Sequence, residues 1–325
     1  MNKRIIAAAM AAIALAACEK RNVELQERQD EMVTFEVSVE TEQTKITGTG
    51  SNESDVSDYQ IFIFNKDNGM LEVYEKSSES TVQMTCTTGP KEVVVIANAP
   101  DLSSVVSLAS LKATKSSLTD NRAGKLVMEG TSTQTLTASV NTVNVALTRI
   151  VAKVCLKSVT ADFELDTYDG LSFKILNAYL INVPADRSYL ASSPDPKNWF
   201  NKMQYESNDY KALLYDDINL DIKSTRKYDK QHHFYSYPNP YTSDSFEETW
   251  SPRPTRLVVE AELGGVHYYY PVALPELKQN TIYDVSINIV RPGSTSPEED
   301  MEKYAANVKI TVNPWSGPVS VSENI

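Results

Sequence analysis

Val143-Asn144-Val145-Ala146-Leu147-Thr148-Arg149-Ile150-Val151-Ala152-Lys153-Val154-Cys155-Leu156 is the stretch that decides the fold. Val143, Val145 and Leu147 stand at odd positions, whereas Ile150, Ala152, Val154 and Leu156 stand at even ones. Apolar residues at every second position mark a strand with one buried face. A slip of one residue turns every side chain to the opposite face. The parity change at Thr148-Arg149 therefore predicts a bulge or bend near Arg149, where the chain switches sheets.

Strand patterning extends in both directions from this point. Upstream, Val33, Phe35, Val37 and Val39 alternate with polar residues, and Tyr59 to Phe64, interrupted only by Gln60, and Val93 to Ala97 are apolar runs. Downstream, strands are expected over 171–183, 212–222, 256–263, 266–274, 282–290 and 307–313, with a two-residue turn at Gly264-Gly265. Only Leu102 to Leu111 reads as a helix, a short crossover capped by Asp101 or Ser103. Two polar connections, about 184–211 and 223–255, read as long loops. The fold class expected is all-β: two successive β-sandwiches with a short crossover helix in the first. The division is expected near 158–170, giving segments 46–160 and 161–306, then a final strand and tail over 307–325.

The first residues do not belong to that fold. Lys3 and Arg4 precede an apolar stretch, Ile5 to Ala17, that is shorter than the roughly 20 residues a bilayer span needs. It reads as a secretory signal. Its end, Leu15-Ala16-Ala17-Cys18, resembles a bacterial lipobox, with cleavage between Ala17 and Cys18 and lipid carried by Cys18. Residues 19–31 read as a tether.

Composition narrows the function. The net charge of −12 disfavours nucleic acid and anionic surfaces. With three histidines and three cysteines, soft metal ligands are scarce. Cys86 and Cys155 read as either buried thiols or one disulfide. His232-His233 reads as loop or surface, because neighbours on a strand face opposite ways. His267 lies in an alternating strand. Asp216-Asp217 and Asp166/Asp169 are candidate carboxylate pairs for glycoside chemistry, but 43 acidic residues make such neighbours common by chance. Phosphate-binding and nucleophile-elbow motifs are absent. No enzyme, cofactor or metal site is expected. The aromatic stretch Tyr228 to Tyr241 reads as a cover for its own sandwich rather than a sugar platform.

Four segments together resemble the fimbrillin family, the major fimbrial (FimA-type) shaft subunits of Bacteroidales. They are the lipobox at Cys18; Cys86 to Asn98 (CTTGPKEVVVIAN); Leu147 to Val154 (LTRIVAKV); and the run from Tyr268-Tyr269-Tyr270-Pro271-Val272 through Asn280-Thr281-Ile282-Tyr283 to Val312-Asn313-Pro314-Trp315. The resemblance implies transthyretin-like sandwiches and a precursor lipidated at the outer membrane. It also implies a trypsin-like maturation protease, a homopolymer of identical subunits, and minor anchor and tip subunits as partners. Cutting beyond the first strand would open a groove that a neighbour's strand fills. Lys45 is the only basic residue between Val39 and the next strand, so Lys45–Ile46 is the expected cut. Residues 19–45 then form a propeptide that carries the removable strand Val33, Phe35, Val37 and Val39. Val319, Val321 and Ile325 lie on alternate positions of the tail and make the expected donor strand. The competing readings are a tip adhesin, an anchor subunit that keeps its lipid, or a glycan-binding surface lipoprotein.

Overall fold

The computed structural model describes residues 31–41, 53–140, 142–206, 211–223, 225–243, 249–299, 301 and 305–315. Its regular secondary structure is almost entirely strand. The first half runs β1 (Met32–Thr41), β2 (Tyr59–Asn65), β3 (Leu71–Ser77), β4 (Thr81–Thr87), β5 (Gly89–Ala97), α1 (Leu108–Ala113), β6 (Lys115–Ser117), β7 (Met128–Leu136) and β8 (Thr142–Arg149). The second begins with β9 (Ala152–Ala161), α2 (Asp166–Asp169), β10 (Phe173–Ile181), β11 (Val183–Pro184), β12 (Asp186–Ser188) and β13 (Trp199–Phe200). It continues with α3 (Lys211–Leu214), β14 (Tyr215–Asp221), β15 (Lys227–Tyr228), β16 (His232–Ser236), β17 (Arg256–Leu263), β18 (Val266–Ala273), β19 (Thr281–Ile289) and β20 (Ala306–Pro314).

The first-half strands other than β6, which pairs with β12, form one sheet in the order β3-β2-β5-β7-β8-β1-β4. It folds back on itself, because β7 and β8 pair only at Met128–Arg149 and Glu129–Thr148. Gly130 sits at this corner. A Cβ there would come within 2.3 Å of the Ala146 carbonyl oxygen, so only glycine allows the two backbones to approach. The leaf β8-β1-β4 then packs on the leaf β3-β2-β5-β7. Between them lie Val33, Phe35, Val37, Val39, Met84, Cys86, Val143, Val145 and Leu147 from one leaf, and Ile61, Ile63, Val93, Val95 and Ala97 from the other. The apolar runs are explained by burial on both faces. Phe62, Phe64, Val94 and Ile96 point the other way, into a second core shared with the rest of the chain.

The parity change falls where the sheets change. Strand β8 ends at Arg149, and β9 begins at Ala152 in the sheet β15-β9-β19-β20, with β16 also on β9. The ladder partners of β9 all come from residues 227 onward. Sheet membership thus changes at Ile150-Val151, before the 160/161 division read from the sequence. The facing leaf is β14-β10-β17-β18. The β17–β18 turn is the expected one, with Gly264 and Gly265 both at positive φ (59° and 84°).

Three expectations need correction. The helix covers Leu108–Ala113 and not 102–111; its cap is Ser107, whose Oγ accepts from the Ser110 backbone N–H while Ser110 Oγ accepts from Ser107 N–H. Asp101 instead closes a local turn by accepting from Ser103 N–H, which competes with helix there. The connection 223–255 is not a plain loop, since β16 within it pairs along β9 from Leu156 to Ala152. His232 is accordingly a buried strand residue rather than a surface one.

The candidate assembly groove

Strand β1 lies in the middle of its leaf. It runs antiparallel to β4, from Met32↔Thr87 to Ser38↔Thr81, and parallel to β8, from Glu36↔Thr142 to Thr41↔Leu147. Val33, Phe35, Val37 and Val39 are all at least nine-tenths buried on one face. The opposite face carries Met32, Thr34, Glu36, Ser38 and Glu40, and its side-chain ties are slight: Thr34 Oγ1 to Thr85 Oγ1 at 2.8 Å, and Gln83 Nε2 donating to Glu36 at 3.3 Å. The strand is therefore held by two backbone ladders and four apolar side chains. Such burial stabilises by about 1.5–3 kcal/mol per side chain, or roughly 6–12 kcal/mol as an upper figure. That is comparable to the ~5–15 kcal/mol stability of a whole domain. Without β1, strand β4 loses its ladder partner.

The slot has an apolar lining. Met84 and Cys86 on β4 and Val143, Val145 and Leu147 on β8 flank it. Cys86 sits directly opposite Val33, and burial pushes its thiol up to about 11. Cys155, in the other half, is pushed up to about 12, again chiefly by burial, and lies 3.2 Å from His233 Nδ1. Both cysteines are free, which decides between the two readings of them.

Cys18, Ala17, the Lys45–Ile46 bond and the tail residues Val319, Val321 and Ile325 lie outside the described residues. The flanking residues that are described converge on one buried cluster. Glu53 accepts a salt bridge from Lys153 Nζ at 2.9 Å and a hydrogen bond from Tyr235 Oη. Arg149 Nε donates to the Glu53 carbonyl at 3.2 Å and its Nη2 to Ser54 Oγ at 2.8 Å. Trp315 lies against the same cations, with Arg149 Cζ 5.0 Å and Lys153 Nζ 5.6 Å from its ring, while Tyr235 stacks on it. Its backbone N–H donates to the Asn280 carbonyl at 3.0 Å. Sequence reading missed Glu53 and Trp315 as partners, because nothing local links a loop glutamate to a tryptophan far along the chain. A second buried ion pair, Arg187–Glu129 at 2.8 Å, joins β12 to β7, and Arg187 also donates to the Ile150 carbonyl.

The histidines are structural in their surroundings. His232 Nδ1 lies 2.8 Å from Asp216 Oδ2, and its Nε2 contacts Tyr228 Oη. His267 pairs with Glu260 at 2.6 Å. Among the described residues no group of three or more His, Cys, Asp or Glu is placed to hold a metal. Tyr228, Phe234, Tyr235 and Tyr237 are buried, so most of the aromatic stretch packs inward.

Residues 33–167 match the family described as major fimbrial subunit protein (FimA). The fold of almost the whole chain is similar to solved structures. A proposed cell adhesion protein from Bacteroides eggerthii aligns with TM-score 0.66 at 20% identity, covering 88% of this chain and 96% of that one. The fimbrilin FimA of Porphyromonas gingivalis aligns with TM-score 0.64 at 17% identity, covering 88% and 98%. The tip fimbrial protein Mfa3 of the same organism, with a C-terminal truncation, aligns with TM-score 0.55 at 14% identity, covering 88% and 100%. No curated protein sequence matches this chain. The resemblance read from the motifs is thus met by the family match over the first part of the chain and by the fold over most of it.

Proposed function

We propose that this protein is a structural subunit of a surface fimbria, exported as a lipoprotein through Cys18 and matured by cleavage at Lys45–Ile46. It polymerises head-to-tail when Val319, Val321 and Ile325 of one copy fill the slot of β1 in the next. One observation carries the reading: β1 is the central strand of its leaf, yet a single connection, residues 42–58, joins it to the strands that follow. A single cut there separates it covalently while leaving every later strand on one chain. Refilling from a second copy is strand addition, in which backbone bonds supply affinity and alternate side chains fill the pockets. Donor and acceptor on one chain make a heterologous contact, which propagates into a filament.

In this reading the two halves are transthyretin-like sandwiches, minor anchor and tip subunits complete the fibre, and the chain has no catalytic role. N-terminal sequencing of subunits isolated from fibres tests it. The expected first residue is Ile46. Fibre subunits that begin at lipidated Cys18 would make the chain an anchor. Removing residues 318–325 should leave a folded monomer unable to elongate, and normal fibres from that variant would exclude the donor assignment.

A further inference from the structure

We infer that Trp315, clamped by Arg149 and Lys153, is a positioning residue for strand donation: it fixes the root of the C-terminal tail so that the tail leaves the subunit from one defined place. The inference rests on the polymer reading above and adds a residue that sets how well the tail is presented.

Strand β20 is poorly suited to anchor the tail by itself. It is an edge strand that pairs with β19 alone, none of its nine residues is buried, and Val308 and Val312 are 38% and 53% exposed. Trp315, the next residue, is 1% exposed. Its ring lies against two cations and a stacked tyrosine, a desolvated arrangement in which cation–π attraction is strong. Its indole N–H has no acceptor among the described residues, so the ring is held by its faces while the backbone N–H donates to the Asn280 carbonyl. The cations are fixed in turn by Glu53, which stands seven residues beyond Ile46. Glu53 remains in the mature subunit, so the clamp outlasts the proposed cleavage. It therefore holds Glu53 and Trp315 at the same buried site. A tail rooted at a fixed point loses less freedom on entering a neighbouring slot than one with a mobile root.

The test separates donation from acceptance. Full-length subunits are matured to remove β1, and two rates are measured: elongation, and binding of a synthetic Pro318–Ile325 peptide to the vacated slot. With Trp315→Leu, elongation is expected to slow by about tenfold or more, while peptide binding and the far-ultraviolet circular dichroism stay as in the wild type. Trp315→Phe keeps an aromatic face and needs no acceptor, so it should restore most of the elongation rate. Wild-type elongation by the Leu variant, or equal slowing by Leu and Phe, overturns the inference. If the Leu variant fails to fold, a Phe variant that folds but elongates no faster than about a tenth of wild type also overturns it. Failure of the peptide to bind wild-type subunits would instead refute the strand-exchange reading itself.

Discussion

Strands β1 and β9 occupy matching places in the two halves of the molecule. Each lies between an antiparallel neighbour and a parallel one: β4 and β8 for β1, β16 and β19 for β9. The leaves around them also correspond, with β3-β2-β5-β7 facing the first and β14-β10-β17-β18 facing the second. The difference is in the covalent and side-chain attachment. Strand β9 follows β8 after two residues, and its Lys153 carries the buried bridge to Glu53. Strand β1 has no salt bridge among the described residues, and its buried side chains are all apolar. Equal burial therefore does not mean equal permanence. A strand is dispensable to the later chain only if its attachments are generic: backbone ladders and apolar contacts that any alternating strand can supply.

The largest expected effect breaks this comparison directly. Val37→Asp and Val154→Asp each place a charge at a fully buried position. Each should destabilise the uncut precursor by about 3–5 kcal/mol in urea denaturation. After maturation and polymerisation, the Val37 variant should regain wild-type stability, because β1 has left, whereas the Val154 variant should stay destabilised. Equal behaviour after maturation would show that β1 is retained.

Thiol labelling sharpens the same comparison with a smaller change. Both thiols are buried and raised to about 11 and about 12, so thiolate is scarce below pH 9 and the precursor should not react with a maleimide. Removing β1 uncovers Cys86 and leaves Cys155 covered, so one thiol per chain should become reactive and then be protected again on polymerisation. Labelling of Cys155 first would contradict the assigned slot. The smallest effect concerns the corner that lets the leaves face each other. Gly130→Ala forces β7 away from Ala146 and should cost about 1–3 kcal/mol, read as a lower denaturation midpoint in both precursor and mature forms.

Much of this was legible in the sequence where the physics is local. The alternation of Val33, Phe35, Val37 and Val39 gave the buried face of β1, and the parity change at Arg149 gave the change of sheet. The Gly264-Gly265 turn was legible because only a few residue types tolerate positive φ at both central positions. Local signals failed where tertiary partners outweighed them. His232 and the tyrosines around it looked like loop, because proline and polar residues surround them, yet the edge of β9 recruits them into a sheet. The helix began later than expected because Leu102 and Val105 are buried as irregular chain, and the capping serine is Ser107.

The sequence by itself determined the buried face of the strands that alternate and where the chain turns from one sheet to the next. Those properties follow from the two-residue period of the extended backbone. Only the tertiary structure decided that Glu53 meets Lys153 one hundred positions away, and that Trp315 closes over the same cations. Which distant groups meet depends on how the sheets close on one another, and a charged side chain carries no local mark of the partner that will bury it.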